Sequence, residues 1–264
     1  MLKSNKRALL IGINYIDTEN ALNGCINDVV NMKDLLIKNF GFKNKNIYLM
    51  SDDQKNDFIP TKNNIIKKIN EFVDLTKPGD LLFIHYSGHG SQIKDNDGDE
   101  KQNQEAQYMD DVICPCDFLN YNGNDGLILD DYLKINLVNK IPIGAKLRVF
   151  FDCCFSGSAL DLPYSYRNGI NFKKEYENDN LSSDCLLISG CKDNQTSADA
   201  YLSGKYSGAL TWSLLNCLPY TQKIPTTWCQ LLLIIRYKLD EKQFEQIPML
   251  SVGAIKIGDK FIDI

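Results

Sequence analysis

Basic charge, histidine and long apolar runs are all scarce in this chain of 264 residues, and each shortage excludes a class of function. Lysine and arginine number 29 against 34 aspartates and glutamates, a net charge of -5, so neither nucleic acid nor an anionic membrane is an expected partner. With only two histidines, and with cysteines paired as Cys114-x-Cys116 and Cys153-Cys154, the chain has neither zinc-ligand spacing nor the two-residue gap of a redox pair. The longest apolar run, from Cys229 to Ile235 with Gln230 inside it, is too short to span a bilayer. No basic start followed by an apolar stretch marks a signal sequence, and the nine cysteines are odd in number and sit mostly in apolar segments. That usage fits a reduced, cytoplasmic protein. The acidic run Asp95 to Asp99 resembles a calcium loop, but its glycine comes too early and no glutamate closes it, so it is no EF-hand.

Two stretches organise what is present. After Arg148 the chain runs apolar and aromatic through Val149, Phe150 and Phe151, the pattern of a strand buried on both faces, and it then breaks into Asp152-Cys153-Cys154-Phe155-Ser156-Gly157-Ser158. Asp80 to Tyr86 reads the same way and ends in Ser87-Gly88-His89-Gly90. Open α/β sheets place ligands beyond the carboxyl ends of their strands, so as neighbours these two would set His89 against one thiol of the 153–154 pair. Successive side chains at a strand end point opposite ways, so only one of the two cysteines can face the imidazole.

The remaining segments alternate. Strands are predicted at Arg7 to Ile13, Asn46 to Met50, Asp111 to Cys116 and Cys185 to Ser189, with Met249 to Ser251 closing the sheet. Helices are predicted from Cys25 to Phe40 with Gly41 just past the end, after Thr61, from Asp130, over Ser207 to Cys217, and from Thr226 or Thr227 to Tyr237. This β-α-β order argues for a mostly parallel central sheet with helices on both faces. Polar residues from Lys94 to Tyr108 read as a surface loop placed to gate the site, and those from Tyr164 to Ser183 as the boundary between two halves. His85, inside its strand, reads as a core histidine.

The chain resembles the metacaspases, caspase-like cysteine peptidases. The resemblance is carried by Ala8 to Tyr15, Tyr86 to Gly90, Asp152 to Ser158 and Ile188 to Ala198, with a weaker match at Gln246 to Ser251. It implies one caspase-like three-layer α/β sandwich over residues 1–264: a large-subunit-like part to about 165, a polar join at about 166–183 and a small-subunit-like part from about 184. It looks like a type I core without a prodomain. One departure is Phe155, where the family usually has histidine.

By motif position the nucleophile is Cys154 and the base His89, with the backbone N–H groups of Gly90 and Cys154 as donors to the oxyanion. The resemblance places Cys25, Asp28, Ser87 and Asp152 around the pocket for the residue before the cut bond. A carboxylate pair there would select arginine or lysine in protein or peptide substrates. Asp28 also suits the first turn of a helix on dipole grounds alone. Asp110, Asp130, Asp131 and Asp161 match the family's calcium ligands, and calcium is the implied cofactor and activator. Arg167, Lys173 and Lys174 in the join are either self-cleavage sites or a solvated linker. A monomer is expected. The alternatives are a catalytically silent, calcium-responsive binding module of this fold and a related peptidase with a different pocket.

Overall fold

A computed structural model describes residues 5–95, 109–166, 171–176, 181, 184–191, 198–202 and 204–264. In its amino-terminal part, strands β1 (Lys6–Gly12), β2 (Ile47–Ser51) and β3 (Leu81–Ser87) are joined by helices α1 (Cys25–Phe40) and α2 (Lys62–Asp74). A small sheet of β4 (Gly90–Lys94), β5 (Met109–Ile113) and β6 (Ile128–Leu129) follows, then α3 (Asp130–Asn136) and β7 (Lys146–Asp152). Next come β8 (Tyr164–Tyr166), β9 (Lys173–Lys174), β10 (Asp184–Ser189) and a hairpin of β11 (Asp199–Leu202) and β12 (Lys205–Gly208). Helices α4 (Ala209–Thr221) and α5 (Trp228–Glu241) and strand β13 (Met249–Val252) complete it.

The main sheet has eight strands in the order β2-β1-β3-β7-β10-β13-β8-β9. The first five run parallel, and the remaining pairings are antiparallel. Alternation along each strand divides the core. Leu9, Ile11, Ile84, Val149 and Phe151 pack with Ile65, Ile69 and Phe72 of α2 and Leu133 of α3. Ala8, Leu10, Phe83, Phe150 and Ile188 pack on the opposite face with α1, α4 and α5. The caspase-like three-layer α/β arrangement is therefore present, with five consecutive parallel strands at its centre.

Local chemistry sets the helix limits. Gly41 takes φ 70°, the left-handed cap that α1 needs, and the Thr61 side chain accepts from Asn64 N–H at the start of α2. Of the two threonines proposed to open α5, Thr227 is the cap, in a capping box with Gln230. Ser207, placed in a helix by its sequence, belongs instead to β12, and α4 begins at Ala209. Met249 to Ser251 does not close the sheet either: β13 lies between β10 and β8, and β9 forms the edge. Arg148 is fully buried in β7, where Asp263 grips it through both oxygens and Asp184 faces it at 2.9 Å. Among the described residues no helix is long and apolar enough to cross a membrane.

Candidate active site

The parallel register of β3 and β7 puts Ser87 opposite Asp152, so the segments leaving both strands emerge side by side at the carboxyl edge. Gly90 fixes how closely they approach. A Cβ there would stand 2.2 Å from the Cys154 carbonyl oxygen and 3.2 Å from Cys153 Sγ, so only glycine fits against the backbone of the cysteine pair. His89 and Cys154 are both half-buried, whereas Cys153 is buried in the apolar core. Burial pushes the Cys153 thiol well above its usual range, with Cys191 adding to the shift.

The His89 imidazole is held at one nitrogen. Nε2 lies 2.8 Å from the Asn20 carbonyl oxygen, which can only accept, so Nε2 carries the hydrogen and Nδ1 keeps the basic lone pair. The turn after Cys154 is fixed by its main chain. Phe155 takes φ 49°, Ser156 Oγ donates to the Cys153 carbonyl at 2.9 Å, and the N–H groups of Phe155 and Ser156 are directed at Cys191 sulfur. Cys191 sits at the end of neighbouring β10 and donates in turn to the Cys153 carbonyl at 3.4 Å.

Next to this turn is a buried acidic pair. Asp28, fully buried in the first turn of α1, accepts from Ser87 Oγ at 2.7 Å, from Gly208 N–H at 3.0 Å and from Ser207 Oγ. Asp152 accepts from Thr211 N–H at 2.7 Å, in the first turn of α4. Both carboxylates close on the same point, because a Cβ at Gly208 would lie 2.2 Å from Asp152 Oδ2 and 3.0 Å from Asp28 Oδ2. Desolvation, reinforced by the charge of Asp152, pushes the Asp28 carboxyl up to about 8. Cys25 is buried at the same place, and its thiol is raised well above the usual range by burial and then by Asp28. The four pocket residues named from sequence are thus brought together.

Asp110, Asp130 and Asp131 also converge, each offering an oxygen within 4.8 Å of the others. Asp130 further accepts from the N–H groups of Asp111 and Asp131, at 2.7 and 3.0 Å. Three carboxylates at that spacing suit a hard divalent cation with oxygen ligands, so the donor set fits calcium. Asp161 is outside this trio. Its backbone has φ 45°, its carboxylate accepts from Tyr176 hydroxyl at 2.9 Å, and its carbonyl accepts from Lys134 of α3. The fourth ligand expected from sequence is thus beside the helix that carries Asp130 and Asp131, but not within the group.

Of the proposed processing sites, Lys173 and Lys174 are exposed on edge strand β9, and Arg167 lies outside the described residues. The loop proposed as a gate falls outside them too, from residue 96 to 108. His85 is a core histidine: fully buried, it contacts Thr211 Oγ1 at 2.9 Å through Nε2, and desolvation pushes its pKa down to about 3. Sequence reasoning did not single out Asn20, Ser207, Gly208 or Thr211. Asn20 acts through its carbonyl, and Gly208 and Thr211 through their N–H groups, which leave no side-chain signature. The Ser-Gly pair ahead of an apolar helix was the only available sign of the others.

The comparisons agree with this architecture. A family model described as metacaspase, peptidase C14 domain, matches residues 6–163. Metacaspase-1 of Schizosaccharomyces pombe is 36% identical over an alignment covering 94% of this chain and 67% of that protein. Metacaspase-1B of Aspergillus fumigatus is 38% identical, over 93% of this chain and 69% of that one. Among solved structures, a protein of Geobacter sulfurreducens superposes with a TM-score of 0.65 at 23% identity, covering 94% of this chain and 93% of its own. Caspase-1 of Spodoptera frugiperda superposes with a TM-score of 0.57 at 14% identity, covering 98% of this chain and 89% of its own. These two likenesses speak for the fold, and the relatives for the family: the chain belongs to the metacaspases, a family of cysteine peptidases.

Proposed function

We propose that this metacaspase is a calcium-activated endopeptidase that cuts protein and peptide chains after arginine or lysine, using Cys154 as nucleophile and His89 as base. The observation that carries the specificity is the buried pair Asp28 and Asp152, side by side at Gly208 next to the cysteine turn. A guanidinium or ammonium entering there meets the Asp152 carboxylate and an Asp28 carboxyl that burial and Asp152 keep protonated, and its charge draws Asp28 into the ionised form. An aspartate side chain would be rejected by the same charge.

In the reaction, His89 Nδ1 takes the proton of Cys154 Sγ, and the thiolate attacks the carbonyl carbon of the substrate's basic residue. Negative charge develops on the carbonyl oxygen, where the N–H groups of Gly90 and Cys154 donate to it. The imidazolium then gives its proton to the departing amine as the C–N bond breaks, leaving a thioester on Cys154. Water, deprotonated by His89, hydrolyses the thioester and restores the thiol. Throughout, the Asn20 carbonyl holds Nε2–H and keeps Nδ1 in the acting position.

Asp110, Asp130 and Asp131 would hold calcium, whose charge offsets the repulsion among them and orders the segments that carry them. Asp161 joins as a ligand if its carboxylate leaves Tyr176. Exposed Lys173 and Lys174 are the self-cleavage sites within reach of a second molecule. The protein works as a monomer.

The test is fluorophore release from short peptides ending in arginine, lysine or aspartate, with calcium or a chelator, using the unaltered chain and Cys154→Ala. Calcium-dependent cleavage after arginine or lysine, absent in the variant, is the expected result. A folded protein that binds calcium and cuts nothing would replace this reading with the silent binding module. Intact mass after calcium addition reports on self-cleavage: an unchanged mass in an active preparation removes it.

A further inference from the structure

Behind His89, on the side away from solvent, two tyrosines form a closed hydrogen-bond circuit with its main chain. Tyr15 and Tyr86 are both buried, with 2% and 0% of their surfaces exposed. The N–H of His89 donates to Tyr15 hydroxyl at 2.9 Å, and that hydroxyl donates to the Cys114 carbonyl at 2.6 Å. Tyr86 hydroxyl donates to the His89 carbonyl at 2.7 Å, where the N–H of Cys114 also arrives, at 3.1 Å. Each phenol has one hydrogen to give, so both are spent on backbone carbonyls, and the two oxygens stand 3.2 Å apart. The Tyr15 ring further lies against the imidazole, with centroids 4.6 Å apart.

Two features set this apart from ordinary core packing. Tyr15 takes φ 49°, a left-handed conformation that a bulky side chain adopts only under constraint. Gly88 leaves room for both hydroxyls, since a Cβ there would stand 2.7 Å from one and 3.1 Å from the other. Loop and strand thus accept strain and a glycine in order to bring two phenols onto one residue.

We infer that Tyr15 and Tyr86 are positioning residues for the base, their hydroxyls fixing the His89 peptide so that Nε2 stays on the Asn20 carbonyl and Nδ1 is left to serve Cys154. The inference rests on the reading of His89 and Cys154 as base and nucleophile. Removing the Tyr15 hydroxyl strands the buried His89 N–H, and removing that of Tyr86 leaves the His89 carbonyl held by the Cys114 N–H alone, so either change frees the peptide to turn. Displacing a catalytic group by about 1 Å lowers turnover by on the order of 100-fold.

The experiment uses the full chain with Tyr15→Phe, Tyr86→Phe and Gly88→Ala, the last keeping both hydroxyls but pressing on them. Two measurements are made: kcat and KM on an arginine peptide, and the rate at which iodoacetamide alkylates Cys154, each with His89 intact and as His89→Ala. The expected result is a fall in kcat of roughly 10- to 100-fold with KM within about twofold. Alkylation should slow in step when His89 is present and be unchanged by the tyrosine substitutions when it is absent. A phenylalanine variant that melts too low to assay leaves the decision to Gly88→Ala, which predicts the same pattern. Unchanged kcat, or equal slowing of alkylation with and without His89, overturns the inference. Alkylation of the unaltered chain no faster than that of His89→Ala instead overturns the dyad on which it rests.

Discussion

Asp28→Asn separates the charge of the acidic pocket from its shape. Asp28 has no surface exposed, and desolvation together with Asp152 pushes its carboxyl from 3.8 up to about 8. A carboxyl raised in the folded state keeps its proton where the unfolded chain has lost it. Its contribution to stability is therefore fully present below about pH 4 and is lost progressively as pH rises to about 8. Each pH unit in that window removes about 1.4 kcal/mol, so from pH 5 to pH 8 the chain loses at most about 4 kcal/mol through this carboxyl and its partner. For a chain of this size that is about 8–16 °C in melting temperature. Asparagine does not titrate. It keeps an oxygen for Ser87 and Gly208 and turns its amide toward Ser207, whose hydroxyl can then donate to the Gly208 carbonyl at 3.3 Å.

Melting curves of the unaltered chain and Asp28→Asn, taken at half-unit steps from pH 5 to pH 9, should start close together and diverge, with the variant the more stable at the alkaline end. The same substitution should lower kcat/KM on arginine peptides by at least about 100-fold, the loss of one charge-assisted partner of the guanidinium. The pocket also predicts proton release. With Cys154→Ala to prevent turnover, an arginine peptide binding near pH 7 should draw Asp28 into its charged form and expel on the order of one proton. Titration calorimetry in two buffers of different ionisation enthalpy counts it. Parallel melting profiles with no proton released would refute the raised carboxyl.

Three further outcomes follow from the geometry. Gly90→Ala sets a Cβ 2.2 Å from the Cys154 carbonyl, where only backbone could yield, so peptide cleavage should be lost while urea unfolding reports a destabilisation of about 1–3 kcal/mol. Asp130→Ala takes one oxygen from the trio, and calcium, which should raise the melting temperature of the unaltered chain, should leave that of the variant unmoved. Arg148→Ala leaves Asp184 and Asp263 without their buried guanidinium, but Lys260 and Lys146 remain 2.8 Å from them, so unfolding in urea should report a loss of about 3 kcal/mol, the low end for a broken buried pair.

The parts of the fold legible in sequence are those whose residues carry their own reason. The parallel strands β1, β3, β7 and β10 are largely continuous apolar runs because both faces are covered, and α2 repeats Ile65, Ile69 and Phe72 on one side. Strands β8, β9, β11 and β12 are short and polar, and exist because a partner strand supplies their hydrogen bonds, a condition no local window contains. The proposed site divides likewise. His89, Cys154, Asp28 and Asp152 would act through side chains set at strand ends or a helix start, where the motif exposes them. Gly208 reaches Asp28 from 180 residues away, and Asn20 reaches His89 from 69 residues away through a carbonyl that every residue possesses.

The same division bears on Phe155, the position at which this chain departs from its family. What the turn takes from that residue is backbone: φ 49° and an N–H directed at Cys191 sulfur. A left-handed phenylalanine stores on the order of 1–2 kcal/mol of strain relative to glycine, and the turn holds it with the Ser156 hydroxyl and the Cys191 thiol, both anchored on the Cys153 carbonyl. A change of side chain at 155 leaves those anchors in place. A silent module would more readily arise from loss of Gly90, Asn20's carbonyl geometry or the acidic pair, and this chain retains all three. The proposed dyad therefore does not depend on which side chain stands at 155.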